Sequence, residues 1–177
     1  PTAGVHTVYD ALAAYTAATR LGLERARAAR ALASYQTTGM RQNIVQHGGV
    51  TFIEDCYNAS PDSMKAALQI LHDRQPGPGG RRIAVLGDML ELGGMSAPAH
   101  EELGRQAAEA GLTALVTYGP EAARTAKAAK DAGLADVVHA EDYQQAADAL
   151  LARMAPGDAL LVLSLIHISE PTRLGMI

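Results

Sequence analysis

From residue 50 onward, short runs of aliphatic and β-branched residues alternate with helix-length segments. The first run, 50–53, is followed by Ser60-Pro61-Asp62, where Ser is a preferred N-cap and Pro fits the first helical turn. Further strands are predicted at 82–86, 114–118, 136–139 and 159–162, and further helices at 98–110, 121–132 and 142–154. Strands separated by helices of this length pair in parallel through crossover connections. The pattern predicts an α/β fold: a Rossmann-like, mostly parallel open sheet with helices on both faces.

The N-terminal residues follow a different pattern. Residues 6–20 place Val8, Leu12 and Tyr15 at helical spacing, and residues 24–34 form a second helix that carries three arginines. Two such helices bury too little apolar area to be stable alone, so we expect them to pack on another domain. Because the sequence begins without an initiating Met, directly before a helix, we expect it to be part of a longer chain.

Charge and composition exclude several classes of protein. The net charge is −4, although residues 1–38 carry four arginines against one aspartate and one glutamate. An acidic body lacks the clustered basic face that nucleic acid requires, so no nucleic-acid partner is expected. No apolar run approaches the roughly 20 residues of a membrane-spanning helix. Cys56 is the only cysteine, which excludes an internal disulfide and fits a reducing, cytoplasmic environment.

In open parallel sheets, ligands meet the loops that follow the carboxyl ends of the strands. The loop after the first strand carries the densest polar cluster: the strand delivers Asp55 to its end, and Tyr57 and Asn58 precede a capped helix. The free N–H groups of such a helix attract anions, and a neighbouring carboxylate can accept hydrogen bonds from ribose hydroxyls. The alternative is an ordinary loop in which Asp55 and Asn58 only satisfy backbone groups, and periodicity alone favours that alternative.

Other polar residues have structural explanations. Asp88 with Glu91 three residues later fits a helix capping box, and Arg41 taken alone is an ordinary surface charge. Cys56 has no His–carboxylate arrangement beside it that would activate a nucleophile. Histidines at 47, 72, 100 and 139 lack the spacing of metal ligands, so no metal site is predicted.

Several segments carry a resemblance to a known family. The run EDCYNASPDSMKAAL at 54–68 closely resembles a segment that distinguishes MurF-type enzymes within the Mur ligase family. Other segments agree with it in order and spacing: GDMLELG at 87–93 followed by Ser96 and His100, the helix that begins at Gly4-Val5-His6, and Thr38-Gly39-Met40-Arg41. The resemblance extends from Gly4 to about Val162.

The resemblance implies a cytoplasmic, ATP-dependent ligase of peptidoglycan biosynthesis, active in cell-wall formation, cell shape and division. Such an enzyme joins UDP-N-acetylmuramoyl-tripeptide to D-alanyl-D-alanine. The full-length enzyme, of which this sequence would be a part, is expected to be monomeric. ATP and Mg²⁺ would be held mainly by a central domain with a P-loop. This sequence contains no G-x-x-x-x-G-K-[ST] motif, so we expect no catalytic residue in it and no catalysis by this piece alone.

Site residues are implied position by position. The resemblance implies a nucleotide-binding set, His6, Asp10, Arg41, Asp55 and Asn58, and a substrate-binding set, Tyr57, Asn58 and Asp88. The helix containing His6 would lie along the adenine, but Thr7 and Asp10 stand where the family has Asn. Asn both donates and accepts hydrogen bonds whereas ionised Asp only accepts, so the adenine contact at Asp10 departs from the family pattern.

The resemblance also divides the chain. Residues 1–38 correspond to the last helices of the central ATP-binding domain, and residues 39–162 to the Mur ligase C-terminal domain without its final element. Residues 163–177 resemble the translation of a transposon-end sequencing adapter, where the family continues with Lys-Gly-Ser and a last helix. We predict that this tail is not native protein.

Three alternatives remain at this point. One is another Mur or folylpolyglutamate ligase with a different acceptor, although the D-N-P-R loop of MurE-type enzymes is missing. Another is a Rossmann-like binding module without catalysis. A third is an inert, poorly folding fragment.

Overall fold

A computed structural model describes residues 5–35, 43–55 and 59–163, without the side chains of Val5, His6 and Asp55. The helices are α1 (Val5–Arg20), α2 (Arg25–Ala33), α3 (Pro61–Asp73), α4 (Ser96–Glu109), α5 (Ala122–Asp131) and α6 (Tyr143–Leu151). The strands are β1 (Asn43–His47), β2 (Val50–Asp55), β3 (Arg82–Gly87), β4 (Ala114–Tyr118), β5 (Asp136–Ala140) and β6 (Ala159–Leu163). A short 3₁₀ helix, Gly93–Met95, precedes α4.

The strands form one sheet in the order β1-β2-β6-β3-β4-β5. β2, β6, β3, β4 and β5 are parallel, and β1 pairs with β2 in the antiparallel direction. β6, the last described strand, is inserted between β2 and β3, and its central residues Leu160 and Leu161 are fully buried. The predicted mostly parallel α/β sheet is confirmed.

The positions of the helices follow from the direction of each connection. The connections through α3, α4 and α5 all run toward β5, and side chains of these helices form the hydrophobic core on one face of the sheet. The connection through α6 returns in the opposite direction to β6, and α6 packs on the other face with Val85, Val116 and Ala146 in its core. Because the connection through α6 reverses both its direction along the sheet and the face on which its helix packs, it has the same hand as the other three connections. This agrees with the right-handed rule for parallel crossovers.

Two differences from the sequence expectations have physical causes. β1 was not predicted, because all five of its residues are exposed at the edge of the sheet and show no burial alternation. The last predicted helix ends at Leu151 rather than at 154. Beyond that helix, the guanidinium of Arg153 binds the carboxylate of Asp136 at 2.9–3.1 Å, which ties the chain to the start of β5.

A buried carboxylate fixes the start of β6. Asp158 has a side chain that is 1% exposed, and it accepts hydrogen bonds from the backbone N–H groups of Arg81 and Ala155, each at 2.8 Å. The Arg81 guanidinium adds an ion pair at 2.8 Å. Burial alone would raise the pKa of the Asp158 carboxyl, but the Arg81 guanidinium and the two N–H groups outweigh it and hold this pKa below its ordinary value.

Helices α4 and α5 approach each other at Gly104. A Cβ placed on Gly104 would contact the Thr125 carbonyl oxygen, and it would lie 2.7 Å from Cβ of Ala128 and 2.9 Å from the backbone nitrogen of Ala129. Only a residue without a side chain allows the two helices to pack at this distance.

Helices α1 and α2 pack against each other at the N-terminal end of the described chain. On α1, Val8 and Leu12 are 56% and 55% exposed, so the predicted apolar stripe faces outward over much of its area. Among the described segments, no helix combines the length and apolarity needed to cross a bilayer.

We expect Gly104→Ala to lower the free energy of unfolding by about 2 kcal/mol, since the overpacking exceeds the gain in helix propensity. The measurement is urea unfolding followed by circular dichroism. Gly94→Ala is the matched control, because a Cβ there meets no atom within 4 Å. Equal stabilities of the two variants would contradict the close approach of α4 and α5.

We expect Asp158→Asn to cost about 1–3 kcal/mol at pH 7, because the Arg81 guanidinium and the two backbone N–H groups then share one neutral acceptor oxygen. A carboxyl group whose pKa is lowered by folding stabilises the fold above its unfolded pKa of about 3.9, and this contribution is lost as the pH falls through the lower folded value. The difference in unfolding free energy between wild type and Asp158→Asn should therefore shrink below about pH 4. Asp148→Asn, at an exposed position on α6, serves as the control, and a constant difference across the titration would exclude the charged pair as its source.

Candidate functional site

The carboxyl ends of the parallel strands form one edge of the sheet, and two of the predicted carboxylates belong to it. Asp55 ends β2 in register with Leu163 of β6, and Leu163 is in register with Leu86 of β3. Asp88 follows Leu86 by two residues. Because one strand separates β2 from β3, the two strand ends lie about 10 Å apart. Asp55 and Asp88 therefore flank the end of β6.

Helix α3 begins at the same edge with the predicted capping arrangement. The Ser60 side chain accepts a hydrogen bond from the Ser63 backbone N–H at 3.3 Å, and the Ser63 hydroxyl accepts one from the Ser60 N–H at 2.9 Å. Pro61 occupies the first helical position. The start of α3 is thus fixed at Ser60 and Pro61, with the positive end of its dipole at the carboxyl edge.

The Asp88 side chain is bound by the start of α5, which follows β4, and not by the loop to which Asp88 itself belongs. Its Oδ1 accepts a hydrogen bond at 2.7 Å from the backbone N–H of Ala122, the first residue of α5. The predicted capping box with Glu91 is wrong, because no helix begins at Asp88 and Glu91 adopts a positive φ of 63°. Asp88 instead caps the helix that follows β4.

The approach of Asp88 to α5 depends on Gly119. A Cβ placed on Gly119 would lie 2.5 Å from Cγ and Oδ1 of Asp88, and Gly119 has a φ of +107°, which disfavours other residues. A glycine between β4 and α5 therefore leaves the space that the Asp88 carboxylate occupies.

The His100 ring lies fully buried beneath the loop that follows β3. Its Nε2 accepts a hydrogen bond from the Met89 backbone N–H at 3.0 Å, and its Nδ1 lies 2.8 Å from the Ser96 carbonyl oxygen. A carbonyl only accepts, so Nδ1 carries the proton and donates it. The ring is accordingly the neutral Nδ1–H tautomer.

Further hydrogen bonds join the loops after β3 and β4. The Ser96 hydroxyl donates to the Glu121 carboxylate at 2.9 Å, and the Thr125 hydroxyl donates to the His100 carbonyl oxygen at 3.0 Å. Glu121 also pairs with Arg124 at 3.4 Å. We call the connected set the loop brace; it consists of Asp88, Ser96, His100, Glu121 and Thr125.

The loop above this brace exposes apolar side chains. Leu90 is 71% exposed and Met95 is 65% exposed, while Met89 between Asp88 and Leu90 is buried in the core. Glu91, in a left-handed conformation, turns the chain between the exposed Leu90 and Met95. This loop therefore presents an apolar surface at the edge where Asp55 and Asp88 lie.

The remaining predicted site residues are distributed as follows. Asp10 is exposed on α1, and His6 belongs to the first turn of the same helix. Arg41, Tyr57 and Asn58 lie outside the described residues, and so does the Asp55 side chain. Within the described part of the chain, no three His, Cys, Asp or Glu residues form a group that could hold a metal ion.

Several residues that organise the edge were not predicted from the sequence. His100 and Ser96 were recognised only as parts of a motif, although their spacing of four residues places them one helical turn apart. Gly119 and Glu121 were not singled out, because their partners lie on another loop. A glycine between a predicted strand and a predicted helix was the available signal for Gly119.

Gly119→Ala should displace the Asp88 carboxylate and free the Ala122 amide, so that this amide exchanges with solvent at least tenfold faster. Gly133→Ala is a matched control, because Gly133 has a similar φ of +98° but a Cβ placed on it would meet no atom within 4 Å. Hydrogen exchange measured by NMR in both variants separates the steric effect from backbone strain. Similar Ala122 exchange in the two variants would show that Gly119 does not set the position of Asp88.

Comparison with known proteins yields a consistent family. The family described as "Mur ligase, glutamate ligase domain" matches residues 40–164. The UDP-N-acetylmuramoyl-tripeptide–D-alanyl-D-alanine ligase of Bacillus subtilis is 38% identical over 67% of this chain and 26% of its own length. The ligase of the same name from Mycobacterium tuberculosis strain CDC 1551 / Oshkosh is 36% identical over 90% of this chain and 35% of its own length.

Solved structures agree with these relatives. A MurF structure from Acinetobacter baumannii superposes with a TM-score of 0.80 at 30% identity, covering 95% of this chain and 36% of that chain. A MurF ligase from Thermotoga maritima in complex with ADP gives a TM-score of 0.75 at 26% identity, covering 94% and 37%. The chain spans about a third of the length of most of these relatives. With the matched segment and the solved structures together, the chain belongs to the Mur ligase family, and residues 40–164 correspond to the family's C-terminal domain.

Proposed function

We propose that this chain is the C-terminal part of an ATP-dependent ligase that joins UDP-N-acetylmuramoyl-tripeptide to D-alanyl-D-alanine in peptidoglycan biosynthesis. The observation that carries the proposal is its 36–38% identity to ligases of that name over 67–90% of this chain. The sequences of the segments 54–68 and 87–93, and not the sheet alone, favour this assignment over other members of the family.

The proposed reaction forms one amide bond at the expense of ATP. The terminal carboxylate of the tripeptide attacks the γ-phosphorus of ATP, which gives an acyl phosphate and ADP. The amine of D-alanyl-D-alanine then attacks the acyl carbon, the tetrahedral intermediate expels phosphate, and the amine loses one proton. Since both steps join bound substrates, most of the rate enhancement must come from positioning and charge neutralisation.

We assign the acceptor side of this reaction to the chain. The edge formed by Asp55, Asp88 and the start of α3 offers carboxylates and a positive helix end, which suit the ammonium and carboxylate termini of a dipeptide. The exposed Leu90 and Met95 offer apolar area beside them. Asp88, Tyr57 and Asn58 are the residues we propose for this role.

The nucleotide side of the reaction is assigned mainly to residues beyond this sequence. The chain lacks a P-loop motif, and its described residues offer no cluster of acidic or histidine ligands that fits Mg²⁺. His6, Asp10, Arg41, Asp55 and Asn58 remain our proposal for contacts to ATP, of which Asp10 is accessible on α1.

The exposed apolar side chains of the N-terminal helices are typical of helices that pack on a neighbouring domain. Val8 and Leu12 are more than half exposed on α1, and isolated helices of this length gain stability mainly from packing an apolar face. We propose that residues 1–38 pack on the ATP-binding domain of the complete ligase and that residues 39–162 form the domain that closes over it. The native protein is proposed to be a cytoplasmic monomer, and residues 163–177 to be foreign sequence.

A chimeric ligase tests the proposal. Residues 40–163 of this chain replace the matching segment of the Bacillus subtilis ligase, and phosphate release is measured with UDP-N-acetylmuramoyl-tripeptide, ATP and an acceptor. We expect release with D-alanyl-D-alanine at least about 100-fold above that of the ligase lacking the segment, because the segment positions the acceptor. L-Alanyl-L-alanine and free glutamate are the acceptor controls.

Other outcomes would replace the proposal. A folded chimera that releases phosphate with glutamate but not with D-alanyl-D-alanine would indicate a ligase for another acceptor. A folded chimera that is inactive with every acceptor, while the unmodified Bacillus subtilis ligase remains active, would contradict an acceptor role for this chain.

A further inference from the structure

His100 differs from an ordinary buried histidine in the two groups that it binds. Met89 lies near the start of the loop that connects β3 to α4, and Ser96 is the first residue of α4. The His100 ring bridges the Met89 N–H and the Ser96 carbonyl oxygen at 3.0 and 2.8 Å. The residues between Met89 and Ser96 include the exposed Leu90 and Met95. The ring therefore clamps the base of the loop while its tip faces outward.

The clamp is itself anchored from the neighbouring helix. Thr125 donates to the carbonyl oxygen of His100, and the close approach at Gly104 keeps α4 against α5. Asp88, which directly precedes Met89, is bound to the first N–H of α5 at 2.7 Å. Asp88 and the clamped loop are consequently positioned from the same helix.

We propose that His100 is a positioning residue for the acceptor substrate: by bridging Met89 and Ser96, it fixes the 89–96 loop and the adjoining Asp88 at the carboxyl edge. The proposal rests on the proposed ligase function, because it assigns the acceptor to this edge. It requires the hydrogen-bonding ring and not merely its volume. An apolar residue of similar size cannot replace it, since the buried Met89 N–H would lose its acceptor.

Two substitutions at this position separate hydrogen bonding from packing. His100→Leu fills the space but binds neither backbone group. His100→Gln retains an amide oxygen that can accept from the Met89 N–H and an NH₂ group that can donate. Asp158→Asn provides a control for general destabilisation, because Asp158 lies at the opposite, amino-terminal edge of the sheet.

The first measurement is hydrogen exchange in the full 177-residue chain. We expect the Met89 amide to exchange at least tenfold faster in His100→Leu than in wild type, and at close to the wild-type rate in His100→Gln. In Asp158→Asn, the ratio of the Met89 exchange rate to the Val85 exchange rate should be unchanged. Unaltered protection of Met89 in His100→Leu would overturn the proposal, and so would equal loss of protection in the Leu and Gln variants.

The second measurement uses the chimeric ligase. His100→Leu should raise the KM for D-alanyl-D-alanine about tenfold, the effect of losing one hydrogen bond of about 1.4 kcal/mol, while the KM for ATP changes less than about twofold. His100→Gln should recover most of the loss, and Asp158→Asn should lower stability without changing either KM. Unchanged kinetics in an active His100→Leu chimera would overturn the positioning role alone, whereas a wild-type chimera without activity would overturn the proposed function.

Discussion

The insertion of β6 between β2 and β3 is the constraint on which the rest of the fold depends. β6 joins the β1–β2 hairpin to the β3–β4–β5 sheet, and both of its neighbours pair with it in parallel. Its residues come last among the described elements, so the sheet closes only through contacts distant in sequence. The buried Asp158 fixes where this strand begins, because Arg81 and Ala155 bind it from two loops. The carboxyl edge, with Asp55 and Asp88 on either side of β6, is a consequence of that insertion.

The two edges of the sheet are organised by different chemistry. At the amino-terminal edge, a charged carboxylate collects N–H groups and a guanidinium, and its role is structural. At the carboxyl edge, the loop brace uses neutral and charged groups to hold loops whose outer residues remain exposed. A rigid base beneath an exposed loop is what precise substrate positioning requires. The same protein thus separates residues that hold the sheet from residues that present a surface.

The sequence predicted the parallel sheet well because its signals are local. Aliphatic runs such as 114–118 coincide with the observed strand, and Ser60 and Pro61 mark the start of α3 as capping chemistry requires. The β1 strand escaped prediction because an exposed edge strand shows no alternation. Asp88 was assigned to the wrong helix because its partner, Ala122, is 34 residues away. Contacts between loops are set by the tertiary fold, and the motif at 87–93 indicated importance without revealing the bonds that make it important.

The exposed β1 strand also affects the tendency of the protein to self-associate. Among the described strands β1 pairs only with β2, so the backbone groups along its outer side have no partner strand. Unpaired strand edges are templates for adding a further strand, and proteins usually protect them with lysine, proline or a bulge. β1 has the sequence Asn-Ile-Val-Gln-His, with neither lysine nor proline, and it exposes part of Ile44 and Val45. Concentrated solutions of this chain are therefore exposed to edge-to-edge aggregation along β1, a hazard that a covering segment or an added charge on the strand would remove.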